Sequence, residues 1–231
     1  MSEPARKVVT RAPPRTVRIL NLNGVLPHPV EAESKLEADC VRVAALSPVT
    51  RSIVSQAFRL PVSPKGYVPD FLITTLGRLH LVIEVKLERK VSDYVDLFDR
   101  AAEHLAAKGF VFAVATEKAL RRERIHERAQ LILRYSKATY SGEEKSRALA
   151  CVSSAAKGIA LGSVVKKAQV RREVIFHLIS RKLLSTGRKL SIDDSAIVTA
   201  PAAADCSEML TLMRWLSVEP WPIGTQVRMP A

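Results

Sequence analysis

Apolar positions along the chain switch between helical and strand spacing, and the switches mark out its elements. Leu36, Cys40, Val43 and Ala44 recur at helical spacing across residues 33–46, and Pro48 ends the pattern, so a first helix is predicted there. Three strand-like runs follow. Residues 53–62 end at Pro64 to Gly66, while residues 70–75 and 79–87 flank a short turn of Leu76, Gly77 and Arg78 and so predict a hairpin. Ser92 or Asp93 is placed to cap a helix reaching residue 108, with Val95, Leu97, Phe98, Ala102 and Leu105 inward and Gly109 as its stop. The continuous apolar run at 110–115 reads as a buried strand. A basic helix is predicted over 117–134, with Leu120, Ile125, Ala129, Ile132 and Leu133 inward. Helix, three strands, helix, strand, helix describes an α/β domain over residues 33–137, a mixed sheet covered by helices.

A smaller unit is predicted at 143–200. A helix spans 143–156, Gly158 and Gly162 break the chain, a short helix at 163–168 follows, and a longer one covers 169–183. Val174, Ile175, Leu178 and Ile179 form the inward stripe of the last, leaving Arg171, Arg172, Arg181 and Lys182 outward. A strand at 183–186, a basic loop at 187–189 and a return strand at 196–200 complete a pattern that fits a winged-helix module, and a generic helical subdomain fits it too. Residues 1–32, with five prolines and five basic residues, read as an extended basic arm. The tail, 201–231, holds Trp215 and Trp221, which point to packing or partner contact rather than chemistry. There is no internal repeat and no glycine-rich phosphate loop.

Charge adds a partner class. The formal net charge is +13, and its distribution is uneven: Lys and Arg outnumber Asp and Glu by 18 to 6 in residues 117–190, against 11 to 10 in residues 33–116. A polyanion gripped by the second half would explain this, although a basic face also keeps a protein soluble. Charges interrupt every hydrophobic stretch before it reaches membrane-spanning length, and the N-terminus lacks an apolar signal core, so a soluble, cytoplasmic chain is expected. Cys40, Cys151 and Cys206 are odd in number and far apart, which indicates neither a disulfide framework nor a zinc site.

The chemistry concentrates in the hairpin. Asp70 opens one strand and Glu84-Val85-Lys86 closes the other; period-two alternation puts Glu84 and Lys86 on one face, and pairing brings Asp70 beside Glu84. Two carboxylates so close repel unless a cation sits between them, and their hard oxygens suit Mg²⁺, or Mn²⁺ as a substitute. Such a site can hydrolyse a phosphodiester, with Lys86 positioning the nucleophile or neutralising developing charge. Burying Glu84 and Lys86 beside Leu81, Val82, Ile83 and Val85 is costly without a purpose. On the preceding helix Glu33 and Glu37 share a face, and either can reach the metal; Glu33, nearer the start, also fits a carboxylate that merely favours the helix dipole. Gln56 is an accessory candidate to orient water or phosphate.

Glu33-Ser34-Lys35-Leu36-Glu37, the strand of Gln56, Tyr67-Val68-Pro69-Asp70-Phe71-Leu72 and Ile83-Glu84-Val85-Lys86, in this order and spacing, resemble the N-terminal catalytic domain of the TnsA endonucleases of heteromeric transposases. That family belongs to the restriction-endonuclease-like PD-(D/E)xK nucleases, and the resemblance covers residues 30–115. It implies that Glu37, Asp70, Glu84 and Lys86 are catalytic, with Glu37, Asp70 and Glu84 as metal ligands, and that a winged-helix domain follows the nuclease. It further implies a cytoplasmic protein using Mg²⁺ to cut double-stranded DNA at the 5′ ends of a transposon. A DDE transposase subunit and an AAA+ regulator would be its partners. Some family members carry Gln where this chain has Glu84, and the acid here matches the wider nuclease superfamily. Lys166, Lys167, Arg171, Arg172, Arg188 and Lys189 are the expected DNA contacts in the second half. A stand-alone restriction or repair nuclease and a non-catalytic DNA-binding adaptor are the competing readings.

Overall fold

The computed structural model describes residues 17–201 and 207–224, so the first half of the basic arm, residues 1–16, lies outside the described residues. What is described of the arm is not free: β1 (Arg18–Leu20) pairs antiparallel with β2 (Val30–Ala32), and Leu20, Leu26, Val30 and Ala32 are buried. The chain then enters α1 (Lys35–Ala45), where the Glu37 N–H donates to Ser34 Oγ at 3.0 Å, an N-cap that satisfies one of the free amides of the first turn. Helix α1 is buried on nearly all sides, from Leu36 through Ala38, Cys40 and Val41 to Ala45, and is therefore a central helix rather than a surface one.

Four strands form one mixed sheet in the order β3 (Thr50–Ser55), β4 (Phe71–Thr75), β5 (His80–Val85), β6 (Val111–Ala115). The first three are antiparallel, with Phe71 opposite Ile83, while β6 runs parallel to β5 after the crossover through α2 (Val95–Ala106). Alternation along β5 sends Leu81, Ile83 and Val85 into the apolar core shared with α1, and Val82 into a second cluster with Phe98, Leu105 and Phe112. Helices thus cover both faces, as the apolar pattern predicts.

The first strand differs from its expected span: it begins at Thr50 and stops at Ser55, because Gln56 adopts a positive φ of 48° and turns the chain away, leaving Leu60 to form an isolated bridge with Tyr67. Ser92 and Asp93 do not cap α2; they lie in a short 3-10 turn, and no side chain caps that helix. The expected helix at 117–134 is two, α3 (Glu117–Leu120) and α4 (Ile125–Arg134), separated by Glu123 and Arg124 with φ of 46° and 58°. Leu120 and Ile125, both fully buried, would point about 140° apart on a straight helix, and the break lets both reach the core.

In the second half α5 (Gly142–Ser153) starts from a reciprocal cap of Ser141 and Glu144. It is followed by β7 (Ile159–Ala160), α6 (Leu161–Ala168) and α7 (Arg172–Ser180), and β8 (Ile197–Val198) pairs antiparallel with β7. Gly158, at φ +80°, does break the chain, whereas Gly162 sits inside α6, where a side chain would meet Asp194. The expected strand at 183–186 is reduced to a single bridge between Ser185 and Thr199. One apolar core runs through the whole arrangement: α4 packs on α7, and α8 (Glu208–Leu216) on α1. Trp215 Nε1 donates to the Val43 carbonyl at 3.0 Å, and Trp221 Nε1 donates to Asp99 at 2.7 Å on the other face of the sheet, so both tail tryptophans pack. Among the described residues no helix is long and apolar enough to cross a membrane.

Lys182, expected outward, is instead largely covered, and its ammonium donates to the Thr50 carbonyl. Burial without a carboxylate partner pulls its pKa down to about 8. Below that pH the lysine is charged in both folded and unfolded chains and the burial cost is fully present. Between about 8 and the ordinary 10.5 the unfolded chain holds a proton the folded chain has lost, so this residue makes stability rise with pH. Denaturant unfolding across that window should show an upward contribution approaching ~1.4 kcal/mol per pH unit. The contribution should vanish in Lys182→Met, and an unchanged slope in that variant would refute the assignment.

Candidate active site

Three elements converge where β5 ends. Asp70, in the bend just before β4, is held at both ends: its carbonyl accepts the Gln56 N–H at 2.8 Å and its Oδ2 accepts the Val85 N–H at 2.8 Å. The continued register of β4 and β5 sets Asp70 across from Glu84, as hairpin pairing predicts. Glu84, only 4% exposed, uses both oxygens: Oε2 accepts the Tyr67 hydroxyl at 2.7 Å and Oε1 lies 2.6 Å from Lys86 Nζ. Lys86 follows on the same face, fixed at its backbone by the Ala115 carbonyl, and its ammonium stands 4.6 Å from the centre of the Tyr94 ring, a cation–π contact. From α1, Glu37 accepts the Glu33 N–H at 2.7 Å, while Glu33 receives the Gln56 side-chain amide at 3.0 Å.

The electrostatics are those of buried negative charge exceeding its compensation. Burial first, then Glu84 and Glu37, push the Asp70 carboxyl well above the usual carboxylate range, against the Val85 N–H and Lys86. Burial likewise raises Glu37, with Glu33 and Glu84 adding repulsion. Burial alone would lower Lys86, but the charge and hydrogen bond of Glu84 outweigh it, and the ammonium stays protonated near neutral pH. Cys40 and Tyr67 are both driven up, chiefly by burial and then by these acids.

In kind, the donors fit a hard divalent cation: carboxylate oxygens in excess of one ammonium, and beside them a buried Gln56 Oε1 with no hydrogen-bond partner. In placement they are looser. Among the described residues no three acidic, histidine or cysteine side chains are drawn tightly enough to chelate an ion as they stand, because Glu84 and Glu37 are engaged by Tyr67, Lys86 and the Glu33 amide.

The structure thus brings Glu37, Asp70, Glu84 and Lys86 together, with Glu33 and Gln56 at the edge. Sequence reasoning gave Tyr67 no role, and only its position three residues before Asp70 hinted at one. The candidate DNA contacts are dispersed. Lys166 and Lys167 are exposed in the last turn of α6, and Arg188 and Lys189 on the loop before β8. Arg171 pairs with Glu144 at 3.4 Å and lies over the Tyr140 ring, and Arg172 pairs with Asp194 and donates to the Ile192 carbonyl at 3.1 Å. Arg171 faces outward as expected while making this surface ion pair, and Arg172, also expected outward, is half-buried.

No protein-family model matches the chain, and no curated protein matches it. The electrostatics of the cluster therefore have to be tested directly. Asp70→Asn, which keeps the acceptor for the Val85 N–H but removes a repelled charge, is expected to melt about 3 °C above the parent in chelator. Mg²⁺ or Mn²⁺ should raise the melting temperature of the parent and not of the variant. Equal responses to the cation would show that Asp70 does not face it.

Proposed function

We propose that this chain is a Mg²⁺-dependent endonuclease of the restriction-endonuclease-like kind that cuts double-stranded DNA at the 5′ ends of a transposon. In this reading it is the TnsA-like subunit of a heteromeric transposase in the cytoplasm, working with a DDE transposase and an AAA+ regulator. One observation carries the reading: Glu37, Asp70, Glu84 and Lys86, separated by up to 49 residues of sequence, meet at the end of one central strand.

Asp70, Glu84 and Glu37 would hold the ion. When bound, it would polarise the scissile phosphate and lower the pKa of the attacking water. The protein supplies the rest. The backbone amide of Val85 fixes Asp70, so the carboxylate's orientation is set before substrate arrives. Tyr67, locked between Glu84 and the Phe98 ring, holds Glu84 in place. Lys86, kept charged by Glu84 and steadied by Tyr94, can orient the nucleophile and neutralise charge as the phosphate becomes more negative. The mixed sheet covered by helices supports the nuclease fold.

The order α5, β7, α6, α7, the Ser185–Thr199 bridge and β8 also supports a winged-helix-like module, with residues 187–189 at the tip of its basic loop. A winged helix reads DNA with its last helix. Here residues 174–180 of α7 are buried against α4 and α5, so the proposed module contacts DNA through its surface loop rather than through a groove-reading helix.

Asp70→Ala or Lys86→Ala should lower Mg²⁺-dependent cleavage of transposon-end duplexes by about 10²-fold or more while leaving duplex binding within about twofold. The assay is run with and without the neighbouring transposase subunit. Full cleavage by either variant would sink the assignment, and equal cleavage by the parent without any partner would favour a stand-alone nuclease.

A further inference from the structure

A second cluster of charge lies away from the acids, where three segments meet: the break between α3 and α4, the loop at 187–189, and the C-terminal end of α8. Arg122 donates to the Ala119 carbonyl at 2.7 Å and to the Trp215 carbonyl at 2.9 Å, which fixes its guanidinium between α3 and α8. Arg128, one turn into α4, donates to the Lys189 carbonyl at 2.9 Å and so stands beside the loop that carries Arg188. Arg188 in turn lines a surface groove with Met213, Arg214 and Ser217 at the end of α8, and Glu219 lies on the same rim. Neighbouring acids are engaged elsewhere: Glu123 pairs with Lys189 at 3.5 Å and Glu127 with Arg124 at 2.5 Å. Among the described residues no carboxylate pairs with Arg122, Arg128 or Arg188.

We infer that Arg122, Arg128 and Arg188 form a clamp for the phosphate backbone of duplex DNA, bridging the sheet-containing part of the chain and the basic loop of its second half. Guanidinium groups match phosphate oxygens with forked pairs of donors, and two of these three are held in advance by backbone carbonyls, so little freedom is lost on binding. The three also repel: burial and then the charge of Arg188 lower the pKa of Arg122, with Arg128 adding to the repulsion and Glu123 only partly offsetting it. The preceding residue, Arg121, is bonded to Asp39 at 2.9 Å, so the clamp abuts the helix that carries Glu37. The choice of duplex DNA as occupant rests on the nuclease reading; the clamp geometry does not.

The test is fluorescence anisotropy with a labelled 20-base-pair duplex of arbitrary sequence, in chelator, over ~50–200 mM salt, using the full chain. The double variant Arg128→Gln/Arg188→Gln avoids the arginine most embedded in the fold, and its melting temperature is checked against the parent. Losing two phosphate contacts should make the slope of log affinity against log salt shallower by about 1.8 and weaken binding about tenfold or more at low salt. Lys108→Gln/Lys157→Gln, which removes the same charge from exposed positions elsewhere, should leave the slope unchanged. A slope unaltered in the arginine variant, or equal in both variants, overturns the clamp, as does tighter binding of a single-stranded RNA of the same length. Cleavage is scored separately: a parent that cuts DNA with an unaltered arginine slope loses the clamp but keeps the nuclease. A parent that never cuts, but whose duplex binding loses slope as expected, keeps the clamp and loses the nuclease.

Discussion

A helix that is apolar almost all the way round is stable only when every side of it is covered, and α1 imposes that constraint on the rest of this protein. The sheet covers one side, the short β1–β2 pair another, and α3, α4 and α8 the remainder. Segments distant in sequence are drawn into one core by this requirement, which is why a tryptophan 172 residues further along the chain closes over the Val43 carbonyl. The same burial carries Glu37 inward on the first turn of α1 and leaves Asp39, on the opposite side, buried against Arg121 and Arg42.

The acidic cluster follows from that packing. Strand β5 is covered on both faces, so the polar residues at its end have little water to answer them and rely largely on one another. Lys86 and Tyr67 engage Glu84, the Val85 amide engages one oxygen of Asp70, and the Glu33 amide engages Glu37. Acids still outnumber the one lysine at this point, and burial together with their mutual repulsion raises Asp70 and Glu37.

Much of this was legible in the chain. Apolar spacing located α1, the β4–β5 hairpin, α2, β6 and most helices of the second half, and period-two alternation put Glu84 and Lys86 on one face. Hairpin pairing set Asp70 against them. The departures have local causes. The positive φ values at Gln56, Glu123 and Arg124 are adopted by residues with no strong preference for them, so the early end of β3 and the break between α3 and α4 carried no sequence signal. The pairing of Arg171 with Glu144 and of Arg172 with Asp194 was not legible, because periodicity tells which side of a helix faces outward, not which carboxylates wait there. Lys182 was misjudged because the helix that would have turned it outward ends at Ser180.

What the sequence determined by itself was the set of elements and the kinds of chemistry on offer, because both depend on the spacing of neighbouring residues. The tertiary structure decided how charges separated by tens of residues meet. It joined Glu37 to Asp70 and Glu84, paired Arg171 with Glu144, and brought Arg122, Arg128 and Arg188 together with no direct ion pair to a carboxylate among the described residues. Those outcomes depend on how α1, α4, α7 and α8 pack, and the energy of a charge depends on what else is buried beside it.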